Sequence, residues 1–472
     1  MLNAVTPEFA ESLHKAVPPD RFDEAGPSYL EEPRGRYAGQ AGLLVKTRST
    51  NEVAALVKAA NTARVPIVPY GGGTGLVGGQ VAPDGPTPLI LSLEHMRALR
   101  AVYPEENVVI AEAGMILADL QVAAQEANRL FPMSLASEGS ARLGGILATN
   151  AGGVNVLRYG NTRDLCLGLE VVLPDGSIWN GLSRLRKNNT GYDLRHLMIG
   201  AEGTLGIITA AAMRLMPQPT GRGAAFLQVP SPDAAVALLA FASERLGASI
   251  SALELIHAQS YAFLAETLPD IRLPFDTAPE WSVLIDIGTN GTTDPQEALL
   301  DLAEAAAEAG LITDGVVAQS QAQRAQFWSV REHIPEANRR IGAVSSHDIS
   351  VPLGEISKFI TKGKAAIAEI GPFRVNCFGH VGDGNLHFNV FPDASKSRAD
   401  YEGDRPAIKG AVHDLVHALG GSVSAEHGVG RLKVEDLEKY SDPAKLATMR
   451  AVKAAIDPNG IMNPGAVLRA SS

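Results

Sequence analysis

Residues 379 to 390, GHVGDGNLHFNV, set two histidines and an asparagine around a Gly-Asp-Gly turn. Asp-Gly is a strong short-range hairpin signal. If Asp383-Gly384 are the central pair of a two-residue turn, His380 and His387 are directly opposed on one sheet face, with Cβ atoms about 4.5–5.5 Å apart. Two imidazoles so placed can be neighbouring ligands of one metal ion. Asn389, two residues beyond His387, shares that face, while Leu386 and Phe388 point the other way. The alternative, in which the two rings only pack or hydrogen-bond across the strands, stays open at this point. A catalytic metal site has a third protein ligand and an open position, and SVSAEHGVGRLK offers Glu426 and His427. These neighbours serve one site only if the backbone turns, which Gly428 and Gly430 allow.

A second stretch with chemical potential is PYGGGTGLVGG, which carries six glycines among residues 71 to 79. Gly73, Gly75 and Gly78 satisfy GxGxxG, and Glu94 lies about where a ribose-binding acid would be in a dinucleotide fold. That fold needs a helix starting at the loop, and GQVAPDGPTP follows instead, whose prolines and glycines forbid one. Without the helix, the loop still presents backbone N–H groups free of side chains, a nest suited to a pyrophosphate. A tight surface turn is the competing reading. A second glycine-rich region, SEGSARLGGILATNAGGVNVLRYGNTRD (137 to 164) followed by GAEGTLGIIT (200 to 209), favours the nest.

The elements that must hold these residues follow from periodicity. STNEVAALVKAANTARVPIVPYGGG reads as a capped helix from Ser49 with Glu52, a short strand at Val65 to Val68, then the glycine loop. Strands are predicted at PLILSL, NVVIAEAGM, GLEVVLPDG and GTLGIITAAAMRLMP, with a helix in ILADLQVAAQEANRL. After Pro217 and Pro219 the texture changes to long Ala-rich helical patterns such as DPQEALLDLAEAAAEAG, separated by strands such as EWSVLIDIG, which puts a domain boundary near residue 218. From about 404 a last segment holds the helix AIKGAVHDLVHALGG, a glycine-rich loop, the helix DPAKLATMRAVKAAID and the tail PNGIMNPGAVL. The fold class is α+β, without internal repeats.

The motifs form a recognisable set. PYGGGTGLVGG, GGILATNAGG, RYGNTRD and EGTLGIIT together resemble the FAD domain of the vanillyl-alcohol oxidase superfamily. FGHVGDGNLHFNV, AEHGVGRLK and DPNGIMNPG resemble the FAD-linked D-2-hydroxyacid dehydrogenases, which include D-lactate and D-2-hydroxyglutarate dehydrogenases and the flavin subunit of glycolate oxidase. The resemblance runs over roughly residues 39 to 466. It implies a PCMH-type FAD-binding domain at 1–218, an α+β substrate (cap) domain with an antiparallel sheet at 219–403, and a small helical segment at 404–472 that completes the active site and FAD site. It places the FAD pyrophosphate on Gly71, Gly72, Gly73 and Gly75 with Thr74 adding a hydroxyl, and brings Ser140, Gly144, Gly145, Thr149, Asn150, Gly153, Gly206 and Ile208 near the rest of the cofactor. No histidine occurs in the 71 to 79 loop, so non-covalent flavin is expected.

The same resemblance makes Glu426 the third ligand beside His380 and His387, His427 the catalytic base, and Arg331 the group that binds the substrate carboxylate. Two imidazoles and a carboxylate favour zinc, with manganese and iron also compatible. Asn389 matches the residue that reaches a distal carboxylate in the hydroxyglutarate enzymes. Such relatives usually carry Thr four residues after the arginine and Lys fifteen after it, where this chain has Pro335 and Ser346. Ser346, with His347, Arg339 or Arg340 compensating, then reshapes the carboxylate clamp, which leaves the hydroxy acid undetermined. The implied reaction is oxidation of a D-2-hydroxy acid of the D-lactate or D-2-hydroxyglutarate class by hydride transfer to flavin N5, with an electron-transfer flavoprotein, a quinone or a cytochrome as acceptor. Dimerisation is a family expectation.

The composition narrows the alternatives. A chain of 472 residues is too long for a single small binding module. A net charge of −11 with no basic run argues against a nucleic-acid partner. Cys166 and Cys377 are far apart and outside CxxC spacing, so no disulfide framework is expected and a reducing compartment fits. No apolar run reaches membrane-spanning length, and the expected location is cytoplasmic. Three rival readings remain: a flavin oxidase for another hydroxylated substrate, a metal hydrolase without flavin, and a flavoprotein subunit without activity of its own.

Overall fold

The computed structural model describes residues 1–470. The chain divides into two compact units. One comprises residues 1–153, 160–218 and the stretch from Glu426 onward, and the other comprises 154–159 and 219–425. The helix Arg405–Ala418 falls inside the second.

Besides the two-stranded pair of Arg129–Leu130 with Met216–Pro217, the first unit holds two larger sheets among the described residues. In the smaller, Leu43–Lys46, Leu89–Ser92 and Ile67–Tyr70 run parallel, with Phe22–Glu24 antiparallel at the edge. All four residues of Leu89–Ser92 are buried, as a central parallel strand covered on both faces requires. The helix Thr50–Ala63 starts at Ser49, whose hydroxyl accepts from the Glu52 N–H (3.2 Å), but the Glu52 carboxylate reaches the Arg48 N–H (2.7 Å) rather than closing the box on Ser49. The larger sheet is antiparallel, in the order Leu99–Tyr103, Val108–Glu112, Ile207–Arg214, Cys166–Val172, Ile178–Gly181. The C-terminal stretch lies against the strand that carries the glycine loop: Ile67 N–H donates to the Ile461 carbonyl (2.8 Å) and Asn463 N–H to that of Ile67 (2.9 Å). No helix forms between Tyr70 and Leu89, which leaves the glycine loop without the helix a Rossmann site needs.

The second unit is one seven-stranded antiparallel sheet in the order Asp314–Val317, Gly221–Val229, Trp281–Thr289, Ile250–His257, Arg374–His380, Asn385–Phe391, Ser345–Ser350. Alternate side chains pack on opposite faces. Leu253, Leu255, Cys377, Leu386, Phe388 and Val390 share one core with residues of the helices Pro232–Leu246, Pro295–Glu308, Ile356–Ile370 and Arg405–Ala418. Ile256, Phe378 and Phe391 share another with Ala258–Thr267 and Gln321–Ile341. Covered on both sides, Trp281–Thr289 is buried at every position.

Candidate active site

The strand Ile67–Tyr70 opens into the loop 71–80, where, among the described residues, no backbone N–H donates to a protein acceptor. These half-buried N–H groups are open to an acceptor from outside the chain, and a pyrophosphate suits such a run. The glycines of the two loops divide into two kinds. A Cβ on Gly72, Gly144, Gly153 or Gly206 would collide with Ser140, Ala113, Ser134 or Val171 respectively, so the chain's own packing already requires glycine there. A Cβ on Gly145 would meet nothing within 4 Å, and one on Gly71 would meet first the Gly145 Cα at 3.4 Å. These two bare backbones therefore lie side by side and form a surface that fits an FAD phosphate group. Thr149 donates its hydroxyl to the Gly145 carbonyl (3.1 Å) and the Asn150 side chain accepts from the Arg163 N–H (3.0 Å). Ile208 is buried in its strand opposite Val171, while Thr74 is half-buried and Ser140 exposed. Glu94 is taken by Tyr29 (2.8 Å) and Lys46 (3.2 Å).

One residue of this unit was missed in the sequence. Glu202, from EGTLGIIT, accepts from the backbone N–H groups of Val429 (2.7 Å) and Gly430 (2.8 Å). It thereby clamps the turn that follows Glu426 and His427, where Gly428 (φ +77°) and Gly430 (φ +50°) are left-handed. Burial pushes the Glu202 carboxyl up to about 7, against the pull of those two N–H groups. Asn463 Nδ2 ties the carbonyls of Gly79 and Glu202 together (2.9 Å each), so one side chain joins this turn's clamp to the glycine loop.

In the second unit the expected hairpin needs correction. The pairing sets Phe378, not His380, opposite His387, and Cys377 opposite Phe388. The turn has four residues, Val381 to Gly384: Asp383 N–H donates to the His380 carbonyl (3.2 Å), Asp383 Oδ1 accepts from Asn385 N–H (3.1 Å), and the Gly384 carbonyl accepts from Val351 N–H (3.1 Å). A register shift of two residues preserves the face. His380 and His387 are therefore diagonal neighbours on the face that also holds Asn389, with ring centroids 5.7 Å apart.

Glu254 lies directly across from His380 in the neighbouring strand and is fully buried. Its Oε1 accepts from His380 Nδ1 (2.7 Å) and its Oε2 from Arg331 Nε (2.8 Å). Burial opposes ionisation of this carboxyl, but His380 and Arg331 outweigh it and hold the group at about 2. With Nδ1–H given to Glu254, His380 presents Nε2 outward, the arrangement that orients metal-binding imidazoles. Asp348, paired with His387 across the strands, has Oδ1 3.9 Å from His387 Nδ1. Ala425, the last residue of this unit, donates its N–H to the Asp348 carbonyl (3.3 Å). Within this unit His380 and His387 thus bring two imidazoles side by side, as two ligands of one divalent cation would be.

Arg331, in the helix Gln321–Ile341, is 6% exposed and stacks on Phe378 at 4.9 Å. Its Nε is engaged by Glu254, and its two terminal nitrogens have no protein acceptor among the described residues.

Known proteins of similar sequence and fold bear on this arrangement. Residues 218–467 match the family described as FAD linked oxidases, C-terminal domain, and residues 41–181 match an FAD binding domain. The chain belongs to the FAD-linked oxidases. As a member it is a flavoprotein oxidoreductase acting on CH–OH groups, with FAD as cofactor. Among its relatives are a D-2-hydroxyglutarate dehydrogenase of Stutzerimonas stutzeri, 36% identical over 92% of each chain, and a mitochondrial one of Arabidopsis thaliana, 34% identical over 95% of this chain and 78% of the other. A D-2-hydroxyglutarate–pyruvate transhydrogenase of Saccharomyces cerevisiae is 32% identical over 93% and 88%. Solved structures agree in fold. Substrate-bound p-cresol methylhydroxylase has a TM-score of 0.78 at 18% identity, covering 99% of both chains. An alkyldihydroxyacetonephosphate synthase has 0.72 at 18%, covering 98% and 85%. The α+β reading, a PCMH-type FAD-binding domain and a second domain built on an antiparallel sheet, holds.

Within this FAD-linked oxidase the expected substrate group is only partly assembled. Asn389 is on the His387 face, directly across from exposed Ser346, and its Oδ1 accepts from the His347 N–H (3.2 Å). His347 itself points to the opposite face, buried against His413 (Nδ1 to Nε2 3.3 Å), because successive strand residues alternate. It cannot compensate for a missing lysine. Arg339 and Arg340 both bind Glu336 on the helix surface (2.7 and 2.9 Å). Pro335 lacks the N–H that would bond to the Arg331 carbonyl one turn earlier. Glu254 was overlooked in the sequence. Its signal was a lone acid in the otherwise apolar SALELI, since acids are seldom fully buried unless paired.

Proposed function

We propose that this chain oxidises a D-2-hydroxy acid to the 2-oxo acid with the help of a divalent cation, and that D-2-hydroxyglutarate is the substrate to try first. The reading is carried by Glu254, one buried carboxylate whose two oxygens orient a candidate metal ligand, His380, and a candidate carboxylate-binding group, Arg331. The names of the relatives support the substrate class.

When bound, FAD supplies a hydride acceptor, and the cation, zinc before manganese or iron, supplies Lewis acidity toward the substrate's hydroxyl and carboxylate oxygens. His380, His387 and Glu426 are the residues that would hold the ion. Glu254 keeps the His380 proton on Nδ1 and so leaves Nε2 for coordination. Arg331 offers its two terminal nitrogens to the C1 carboxylate as a planar fork. His427 takes the hydroxyl proton as a neutral imidazole. Asn389 turns its amide nitrogen to the far end of the substrate, where Ser346 supplies a hydroxyl in place of the lysine that the resemblance led us to expect. Gly71 to Gly75 and Gly145 would carry the FAD phosphates.

An electron-transfer flavoprotein or a quinone is the acceptor we favour, and the yeast relative's name adds a 2-oxo acid to the panel. Two buried free thiols, Cys166 and Cys377, suit a cytoplasmic setting, and among the described residues no helix is long and apolar enough to cross a membrane. A homodimer is the assembly carried over from the resemblance.

The test is an anaerobic visible spectrum of the flavin-loaded protein titrated with D- and L-2-hydroxy acids, before and after chelation. Bleaching by D-2-hydroxyglutarate alone, lost on chelation and restored by zinc or manganese, is the expected outcome. Bleaching by L-acids, or bleaching indifferent to chelation, refutes the stereochemical or the metal half respectively.

A further inference from the structure

On the opposite side of the second unit's sheet from Glu254, a lysine sits in an arrangement the oxidation does not use. His257 is the N-cap of the helix Ala258–Thr267, and its Nδ1 accepts from the Gln259 N–H (3.1 Å). A backbone N–H can only donate, so this bond requires a lone pair on Nδ1. The single proton of the neutral ring is then on Nε2. Lys364 Nζ lies 2.9 Å from that Nε2. An ammonium there would meet a second donor, whereas a free amine accepts the Nε2 proton. The protonated lysine can be accommodated only by moving the ring proton to Nδ1, which destroys the helix cap and sets two N–H groups against each other.

We propose that Lys364, held as a free amine by the proton on His257 Nε2, is a nucleophilic acyl-acceptor site, taking small acyl groups from anhydride or thioester donors. In the transfer, Nζ attacks the donor's carbonyl carbon, the carboxylate or thiolate departs with the bonding pair, and the Nζ proton passes to solvent, leaving an amide. The surroundings of Nζ bear on its charge as follows. Among the described residues no carboxylate is within ion-pair distance of it. Cys377, a fully buried neighbour, stays a neutral thiol because burial pushes it up to about 12. Exposed Glu280 exerts only a weak pull toward the charged form. The Trp281 ring, 4.9 Å from Nζ, also favours the cation. Against these stand burial, the larger influence, which lowers Lys364, and the cap bond. Burial, the larger influence, likewise lowers His257, so its ring is neutral at physiological pH. Lys364 remains partly exposed, within reach of a small donor.

The experiment is trace labelling of the full-length, flavin-loaded protein with isotopic acetic anhydride from pH 6 to 11, with each lysine quantified by peptide mass spectrometry. The midpoint of the rate profile reads the amine's protonation independently of its accessibility. For Lys364 it is expected at least one pH unit below those of exposed Lys15 and Lys187, corresponding to about tenfold more free amine at pH 7. A Lys364 midpoint equal to theirs overturns the proposal. The variant His257→Asn keeps a side-chain oxygen for the cap and removes Nε2. It should move the Lys364 midpoint upward, and an unchanged low midpoint would assign the effect to burial alone and overturn the role given to His257.

Discussion

Replacing Glu254 with Gln changes one atom's chemistry and leaves the shape alone, yet it asks two donors to share one acceptor. In the native site Oε1 serves His380 Nδ1 at 2.7 Å and Oε2 serves Arg331 Nε at 2.8 Å. Arg331 can only donate, so the glutamine oxygen must face it and the glutamine NH2 must face His380. His380 then becomes an acceptor at Nδ1, and its proton moves to Nε2, the nitrogen we propose for the cation. Loss of such an orienting partner typically lowers metal affinity 10- to 100-fold, about 1.4 to 2.7 kcal/mol. The buried Arg331 also loses its counter-charge, an effect on the order of 3 kcal/mol on folding. Competition of the flavin-loaded protein against a chromophoric zinc chelator, with urea unfolding in parallel, measures both. A variant that binds zinc within twofold of the parent refutes the tautomer argument, and a parent that binds no divalent cation refutes the metal site altogether.

Arg331→Lys, which gives up both the Glu254 contact and the planar fork, should lower kcat/KM for a 2-hydroxy acid about 100-fold, roughly 2.7 kcal/mol, mostly through KM. Steady-state kinetics decide it, and a change under threefold contradicts the assignment. Gly145→Ala should leave urea stability within about 0.5 kcal/mol but reduce flavin content after purification, whereas Gly144→Ala, whose Cβ would press on Ala113, should destabilise the fold itself. Identical behaviour of the two would undo the distinction drawn between them. Glu202 has a raised carboxyl, from 4.5 to about 7, so its contribution to stability is full below pH 4.5 and is lost as pH rises through 7, on the order of 3 kcal/mol. Urea unfolding at pH 5 and pH 8 should show that loss in the parent and a smaller one in Glu202→Gln. Ser346→Lys, placing an ammonium directly across from Asn389, should raise kcat/KM for D-2-hydroxyglutarate relative to D-lactate about tenfold.

The glycine loops were legible because they depend on what is missing from a side chain, which composition states outright. The shared face of His380, His387 and Asn389 was legible because strand periodicity survives a register shift of two. The register itself was not, since it depends on the Asp383 side chain bonding Asn385 and on Val351 gripping Gly384, a contact that arrives from another strand. Glu254 could not be placed either: it meets His380 across 126 residues of chain, and only the order of strands in the sheet brings them together. Glu202 likewise reaches Val429 across 227 residues. His347 shows the opposite failing, where nearness in sequence to Ser346 suggested a shared role that strand alternation divides.

The return of the chain to its first unit has a consequence for biogenesis. The strand that launches the glycine loop is bonded on one side by Ile461 and Asn463, and the loop's own Gly79 is held by a side chain 384 residues away. During synthesis, therefore, the nucleotide-binding unit waits unfinished while some two hundred residues of the second unit emerge and can fold on their own. Flavin capture becomes one of the last events in the molecule's maturation. A ribosome-stalled chain that exposes residue 425 but not 463 should hold a protease-resistant second unit and no yellow colour.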